Sequence, residues 1–324
     1  GPHLIGAASD GATVWAVTLG ATEIWLHHLD AGGRQLMPAR LVADQPLAWE
    51  AYVDVSLAEA GGLVVYNGCP LEGCGGVCDF YCEPGPMYVS RVTPFDRDGE
   101  LGPAQVHSRI VGLTQSPLVA AWTGSTHVVF NGLQRLAFAE SGEALTGWLL
   151  NEPGLFPIEG MADPSRGRAI FGAPPQSDRP PRLVFVDSEA QISRIVELPE
   201  QAVRWSLTNS GGGDFALSPD GELVAVLSWQ RVAVVTLEGE LVYRFDLTDP
   251  DADVVEEIFV LDVEYVGEAL YLLVLSRDDG RPDTYQLIAL APDGVELGRT
   301  SVHPALGLVR AGDGALLFSH VDTG

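Results

Sequence analysis

Phe215-Ala216-Leu217-Ser218-Pro219-Asp220-Gly221-Glu222-Leu223-Val224-Ala225-Val226-Leu227 decides the fold of this chain. An apolar strand runs into a four-residue turn and out into a second apolar strand. Proline at the second turn position has its φ preset, and glycine at the fourth closes the turn at little steric cost. The chain continues through Arg231-Val232-Ala233-Val234-Val235-Thr236-Leu237, a turn at Glu238-Gly239-Glu240, and Leu241-Val242-Tyr243-Arg244-Phe245. Residues from about 203 to 248 therefore read as one unit of four short strands, A to D.

The acidic-glycine turn of this unit recurs at Leu29-Asp30-Ala31-Gly32-Gly33, Asp96-Arg97-Asp98-Gly99-Glu100, Glu140-Ser141-Gly142-Glu143 and Pro292-Asp293-Gly294. Its spacing falls in the range that repeat architectures use. Several strands are apolar at every position, above all Leu270-Tyr271-Leu272-Leu273-Val274-Leu275. A strand covered on one face alternates, whereas one covered on both faces reads as an unbroken apolar run. Radial stacking of blades covers both faces, so the pattern predicts an all-β propeller of four-stranded antiparallel blades, with a two-domain antiparallel sandwich as the structural alternative. The phrase over residues 215–225 resembles the repeat of the TolB-like and WD-repeat-like β-propellers. That resemblance implies a ring with the B–C and D–A loops on one face, the face that commonly holds the ligand entrance.

Phasing the rest by the same pattern gives units at 4–42, 49–110, 117–150, 156–198 and 254–302 beside the one just described, and a final pair of strands at 306–310 and 316–321. The expectation is one propeller domain over 1–324, seven blades with the last incomplete, six being the alternative. The C–D turns are uniformly short. The B–C connections are long at 68–86, 172–181 and 276–282. Long loops on a rigid scaffold are where binding tends to reside.

All four cysteines, Cys69, Cys74, Cys78 and Cys82, fall in the first of these loops. Two disulfides stapling a poorly apolar insertion suit an oxidising compartment; a tetrathiolate zinc knot is the competitor, but it usually pairs cysteines in two separated knuckles. Three disulfide connectivities are open. The expected one nests Cys74–Cys78 inside Cys69–Cys82. Asp178, Arg179 and Arg182, with Arg277, Asp278, Asp279, Arg281 and Asp283, place guanidinium and carboxylate groups in the other two long loops as candidate binding residues. Arginine grips carboxylate or sulfate bidentately, although mixed charges of this kind also form plain surface ion pairs. Asp249, Asp251 and Asp253 offer clustered carboxylates to a hard cation such as calcium, without the turning glycine and final glutamate of an EF-hand. No other cofactor is expected.

Charge excludes several partners. Against 44 acidic residues stand 18 basic ones, net −26, and all 18 are arginine. Such a surface repels nucleic-acid backbones and anionic headgroups, and without lysine there is no Schiff-base chemistry and no Walker-type phosphate lysine. No apolar run approaches the ~18 residues of a membrane span, so no membrane insertion is expected. Gly1-Pro2 reads as the remnant of a cleaved tag, compatible with a removed leader or anchor. His27 and His28, adjacent on a strand, point to opposite faces and share no metal. The functional expectation is a monomeric binding scaffold, extracellular, periplasmic or attached to the cell surface, engaging a protein or glycan through the loop-rich face. The alternative is a propeller hydrolase, lyase or lactonase with carboxylates and possible calcium at the central channel.

Overall fold

A computed structural model describes residues 3–20, 23–44, 53–68, 87–111, 118–131, 134–149, 155, 157–173, 180–199, 215–228, 230–247, 257–277, 282–305 and 307–318. Within them the chain makes six four-stranded antiparallel sheets, each in sequence order. Blade one holds β1 (His3–Ser9), β2 (Thr13–Leu19), β3 (Glu23–Asp30) and β4 (Arg40–Asp44); blade two holds β5 (Val53–Leu57), β6 (Gly61–Gly68), β7 (Met87–Asp96) and β8 (Gln105–Val111). Blade three is β9 (Leu118–Trp122), β10 (His127–Asn131), β11 (Gln134–Phe138) and β12 (Ala144–Leu149). Blade four is β13 (Glu159–Asp163), β14 (Arg168–Ala173), β15 (Arg182–Asp187) and β16 (Ile192–Glu197). Blade five is β17 (Phe215–Leu217), β18 (Leu223–Ser228), β19 (Arg231–Thr236) and β20 (Leu241–Asp246). Blade six is β21 (Glu257–Val266), β22 (Ala269–Arg277), β23 (Thr284–Leu290) and β24 (Glu296–Val302). The single helical element among the described residues is a 3-10 turn at Pro164–Arg166.

Six four-stranded blades match the alternative count; the favoured seven is not confirmed. After blade six comes a two-stranded sheet of β25 (Gly307–Ala311) and β26 (Gly314–Phe318). The first strands touch one another in sequence around the ring, and β25 touches both β21 and β1.

The unbroken apolar runs have the predicted cause. On β19, Val232 and Val234 pack with blade six, Ala233 and Val235 with blade four, and all four are fully buried. Each buried valine of this kind contributes about 1.5–3 kcal/mol. Similar cores lie between blades one and two (Val17, Ile24, Leu26, Val64), two and three (Leu63, Val65, Val129, Phe138) and three and four (Phe130, Phe171, Val184). A smaller one, Val14, Ala16 and Ala311, joins blade one to β25.

The recurring acidic-glycine turn is the C–D turn of each blade, and its hydrogen bonding repeats in all six. Asp30 N–H donates to Arg34 O and Gly33 N–H to Asp30 O; the same pair of bonds starts at Asp96, Ala139, Asp187, Thr236 and Ala291. This is the three-residue hairpin whose last turn residue is left-handed, which is why glycine recurs there. Blade four breaks the sequence pattern without breaking the structure: Ala190 takes φ 60°. In blades two to six the C–D turn also leans on the sheet before it. A Cβ on Gly99 would strike Met37 of blade one, on Gly142 Pro94 of blade two, on Gly239 Val196 of blade four, and on Gly294 Tyr243 of blade five. Ser188 of blade four accepts from Ser125 and Thr126 of blade three.

The outermost strand of every blade carries one extra residue, just past that turn in blades three to six and further along in blades one and two: Val42, His107, Leu145, Ser193, Val242 and Leu297. Such bulges twist an edge away from further pairing. Leu145, Val242 and Leu297 are exposed for this reason.

Candidate binding face

In a four-stranded antiparallel blade the A–B and C–D turns share one end and the B–C and D–A connections share the other. At the first end the A–B turns have a few residues and the six C–D turns share one hydrogen-bond pattern, although the chain runs on to Arg40 in blade one and to Gln105 in blade two before the last strand begins. The second end carries the three longest connections, from Gly68 to Met87, Glu197 to Phe215 and Asp246 to Glu257. The three long loops expected to join second to third strands do so.

Most candidate residues of this face lie outside the described residues: Asp178, Arg179, Asp278, Asp279 and Arg281, the four cysteines, and Asp249, Asp251 and Asp253. Those that are described behave differently from one another. Arg277, the last residue of β22, pairs with Asp283 at 3.3 Å with both side chains about half exposed, and its guanidinium lies 5.6 Å from the Phe259 ring. Arg182 opens β15 at 2% exposure, a buried guanidinium and not a free surface cation. Burial of a permanently charged head demands polar company, so Arg182 is part of the blade interior and not of a ligand-facing loop.

Near the strand ends that flank residues 69–86 runs a buried polar seam that sequence reasoning missed. Ser90 on β7 donates to Asn67 Oδ1 on β6 at 3.0 Å, and Asn131 on β10 of the next blade donates to Ser90 Oγ. All three are buried. The seam therefore ties the ends of two blades where the cysteine-rich loop departs and returns.

The first strands bring three acids to the channel side of the ring. Asp54 on β5 accepts from Val55 N–H and, with its other oxygen, from Ala120 N–H on β9, both at 2.7 Å. Asp262 on β21 repeats the arrangement with Val263 at 2.7 Å and Leu308 of β25 at 2.9 Å. Glu264, two residues on, accepts from Tyr265 N–H at 3.0 Å and from a backbone amide of Arg310. Burial raises Asp54 and Asp262 to about 7, against the lowering effect of the amides they hold. Glu264 rises to about 8, by burial first and then by the Asp262 charge beside it. A signal was present: Val53-Asp54-Val55 and Asp262-Val263-Glu264 set acids into otherwise apolar first strands. Among the described residues no three His, Cys, Asp or Glu side chains are arranged to hold a metal.

Ser56 Oγ meets His127 Nδ1 at 2.8 Å between blades two and three. Both residues are buried, Trp122 packs on the imidazole at 4.5 Å, and burial pulls His127 down to about 3. The ring is held neutral inside the blade interface, which makes the pair a packing element.

Solved structures share this ring. The Neurospora crassa Pan2 WD40 domain matches with a TM-score of 0.54 at 10% identity, covering 98% of this chain and 86% of that one. This chain is a β-propeller repeat protein. Apo AztD from Citrobacter koseri aligns with the propeller at a TM-score of 0.50 and 15% identity over 93% of this chain and 71% of that chain. Chaetomium thermophilum Raptor aligns at 0.54 and 10% over 95% of the propeller and 26% of its own chain. At these identities the likeness carries the fold alone. No family model matches the sequence, and no curated protein matches it.

Proposed function

We propose that this propeller is a monomeric binding scaffold, working outside the cytoplasm, that takes a protein or glycan on the face of the B–C and D–A connections. The observation that carries the reading is the asymmetry of the ring: six C–D turns of one hydrogen-bond pattern at one end, the three longest connections at the other. Rigid scaffolds that vary loops at one end use that end for recognition. The buried seam of Asn67, Ser90 and Asn131 supports it, since it ties the strands on either side of 69–86 to the next blade. The channel acids favour a scaffold over a hydrolase because Asp54 and Asp262 already hold amides of a neighbouring sheet with the oxygens a substrate would need.

The test compares three forms of the full chain, unaltered, with 70–85 replaced by Asn-Gly, and with Glu59 and Glu140 of the turn face changed to alanine, by crosslinking to the secreted proteins of the source organism and on a glycan array. The reading expects one retained protein or glycan, lost with the insertion and kept with the turn-face changes. Retention that ignores the insertion, or no retention in either arm, overturns it.

A further inference from the structure

The chain has three methionines, Met37, Met87 and Met161, and the first of them sits where two blades lock together. Met161 is buried at 7% exposure in the core between blades four and five. Met37 lies between β3 and β4 of blade one, and the bond just before it, Leu36 N–H to His28 O at 2.8 Å, fixes its place. Its side chain is partly buried against the core that joins blades one and two. There it meets the C–D turn of blade two. A Cβ on Gly99 would strike Met37 Cε, standing 2.5 Å from Sδ and 3.5 Å from Trp15 Cη2, so thioether, indole and the bare face of the glycine come together at one point. Trp15 is itself held, stacked on His28 at 3.9 Å and tilted against Phe95 at 4.7 Å.

The corresponding glycines of other blades rest on chemically inert neighbours: Gly142 on Pro94, Gly239 on Val196 and Gly294 on Tyr243. Gly99 rests on sulfur. A thioether is apolar and packs well on aromatic rings, but oxidation turns it into a polar sulfoxide with a strong acceptor oxygen. That oxygen would find no donor among the amides of the turn beneath it, because they are spent: Asp98 and Glu100 N–H donate to Asp96 Oδ1, and Gly99 N–H donates to Asp96 O. Burying an acceptor without a donor is costly. The oxygen is therefore driven towards solvent, and the side chain that carries it leaves Gly99.

We propose that Met37 is an oxidation site through which hydrogen peroxide loosens the C–D turn of blade two from blade one. In this step a lone pair of Met37 Sδ attacks one peroxide oxygen; the S–O bond forms, the O–O bond breaks, sulfur loses two electrons and the second oxygen leaves as water. The site lies at the turn end of the ring, away from the proposed binding face, and does not depend on that reading.

The test treats the full chain with hydrogen peroxide, maps sulfoxide at each methionine by mass spectrometry of tryptic peptides, and follows amide exchange by segment. It is run on the unaltered chain and on Met37→Leu, which keeps the apolar volume. Met37 should oxidise about tenfold or more faster than Met161. Exchange over residues 94–102 should then speed up by about tenfold or more. Methionine sulfoxide reductase with a dithiol reductant should restore it, and treated Met37→Leu should show no such loss. Oxidation of Met37 no faster than that of Met161 overturns the proposal. So does unchanged or slower exchange of the oxidised turn, the outcome if Arg40 Nε, buried without a partner at the start of β4, took the sulfoxide oxygen. An equal loss in treated Met37→Leu, or failure of the reductase to restore the unaltered chain, overturns it as well.

Discussion

Asp54 ties β5 to β9 through Ala120: one carboxylate oxygen holds the amide of its own strand and the other, at 2.7 Å, the amide of the next blade. Asp262 does the same between β21 and β25. Both acids, with Glu264, have folded-state values raised to about 7, 7 and 8, against ~4 in the unfolded chain. Between those limits the unfolded state has released protons that the folded state still holds, so stability is fully present at low pH and falls as pH rises through 7 to 8. His127 acts oppositely: held neutral down to about 3, it costs stability as pH drops below ~6.5. Thermal melts from pH 6.5 to 8 should therefore show a falling melting temperature, and Asp262→Asn should flatten the slope. An unchanged slope in that variant would remove Asp262 from this account.

The left-handed glycines of the C–D turns should differ sharply from those in open turns. A Cβ on Gly142, at φ 82°, would lie 2.6 Å from Pro94 Cβ, whereas on Gly167, at φ 63°, it would meet nothing. Gly142→Ala should cost about 2–4 kcal/mol from backbone strain plus contact, and Gly167→Ala about 1–2 from strain alone. Urea unfolding measures both; equal costs would mean that the turn does not bear on blade two.

Ala190 invites the reverse substitution. It takes φ 60° and is fully buried. Ala190→Gly relieves about 1–2 kcal/mol of left-handed strain and forfeits about 0.8 of methyl burial. A net gain of up to about 1 kcal/mol is expected, and a loss of that size would show that the methyl matters more than the φ.

The cysteines give a chemical prediction independent of the fold. A thiol titration in denaturant without reductant should find none of the four free; four reactive thiols would place the chain in a reducing compartment and remove the stapled loop.

The fold was legible because propeller strands must be apolar on both faces and because the C–D turn needs a left-handed residue, which glycine announces. The blade-four turn escaped the reading for the same reason: Ser188-Glu189-Ala190 has no glycine to announce it, yet Asp187 still caps it through Glu189 and Gln191 N–H. Arg182 read as a loop cation because its charge is visible in sequence and its burial is not. The tie between Asp54 and Ala120 spans residues 66 apart, a pairing that local pattern does not encode. The pair of strands expected at 306–310 and 316–321 stands at Gly307–Ala311 and Gly314–Phe318, and beside six four-stranded blades it leaves the seventh unconfirmed.

Because the C–D turns of blades two to six rest on the sheet before them, these blades overlap like roof tiles laid in one direction. A tiled edge lifts where the course ends. Nothing described overlies β24, so this propeller should begin to come apart at the rim of blade six and stay closed longest in blades four and five, whose third strands are sealed from both sides.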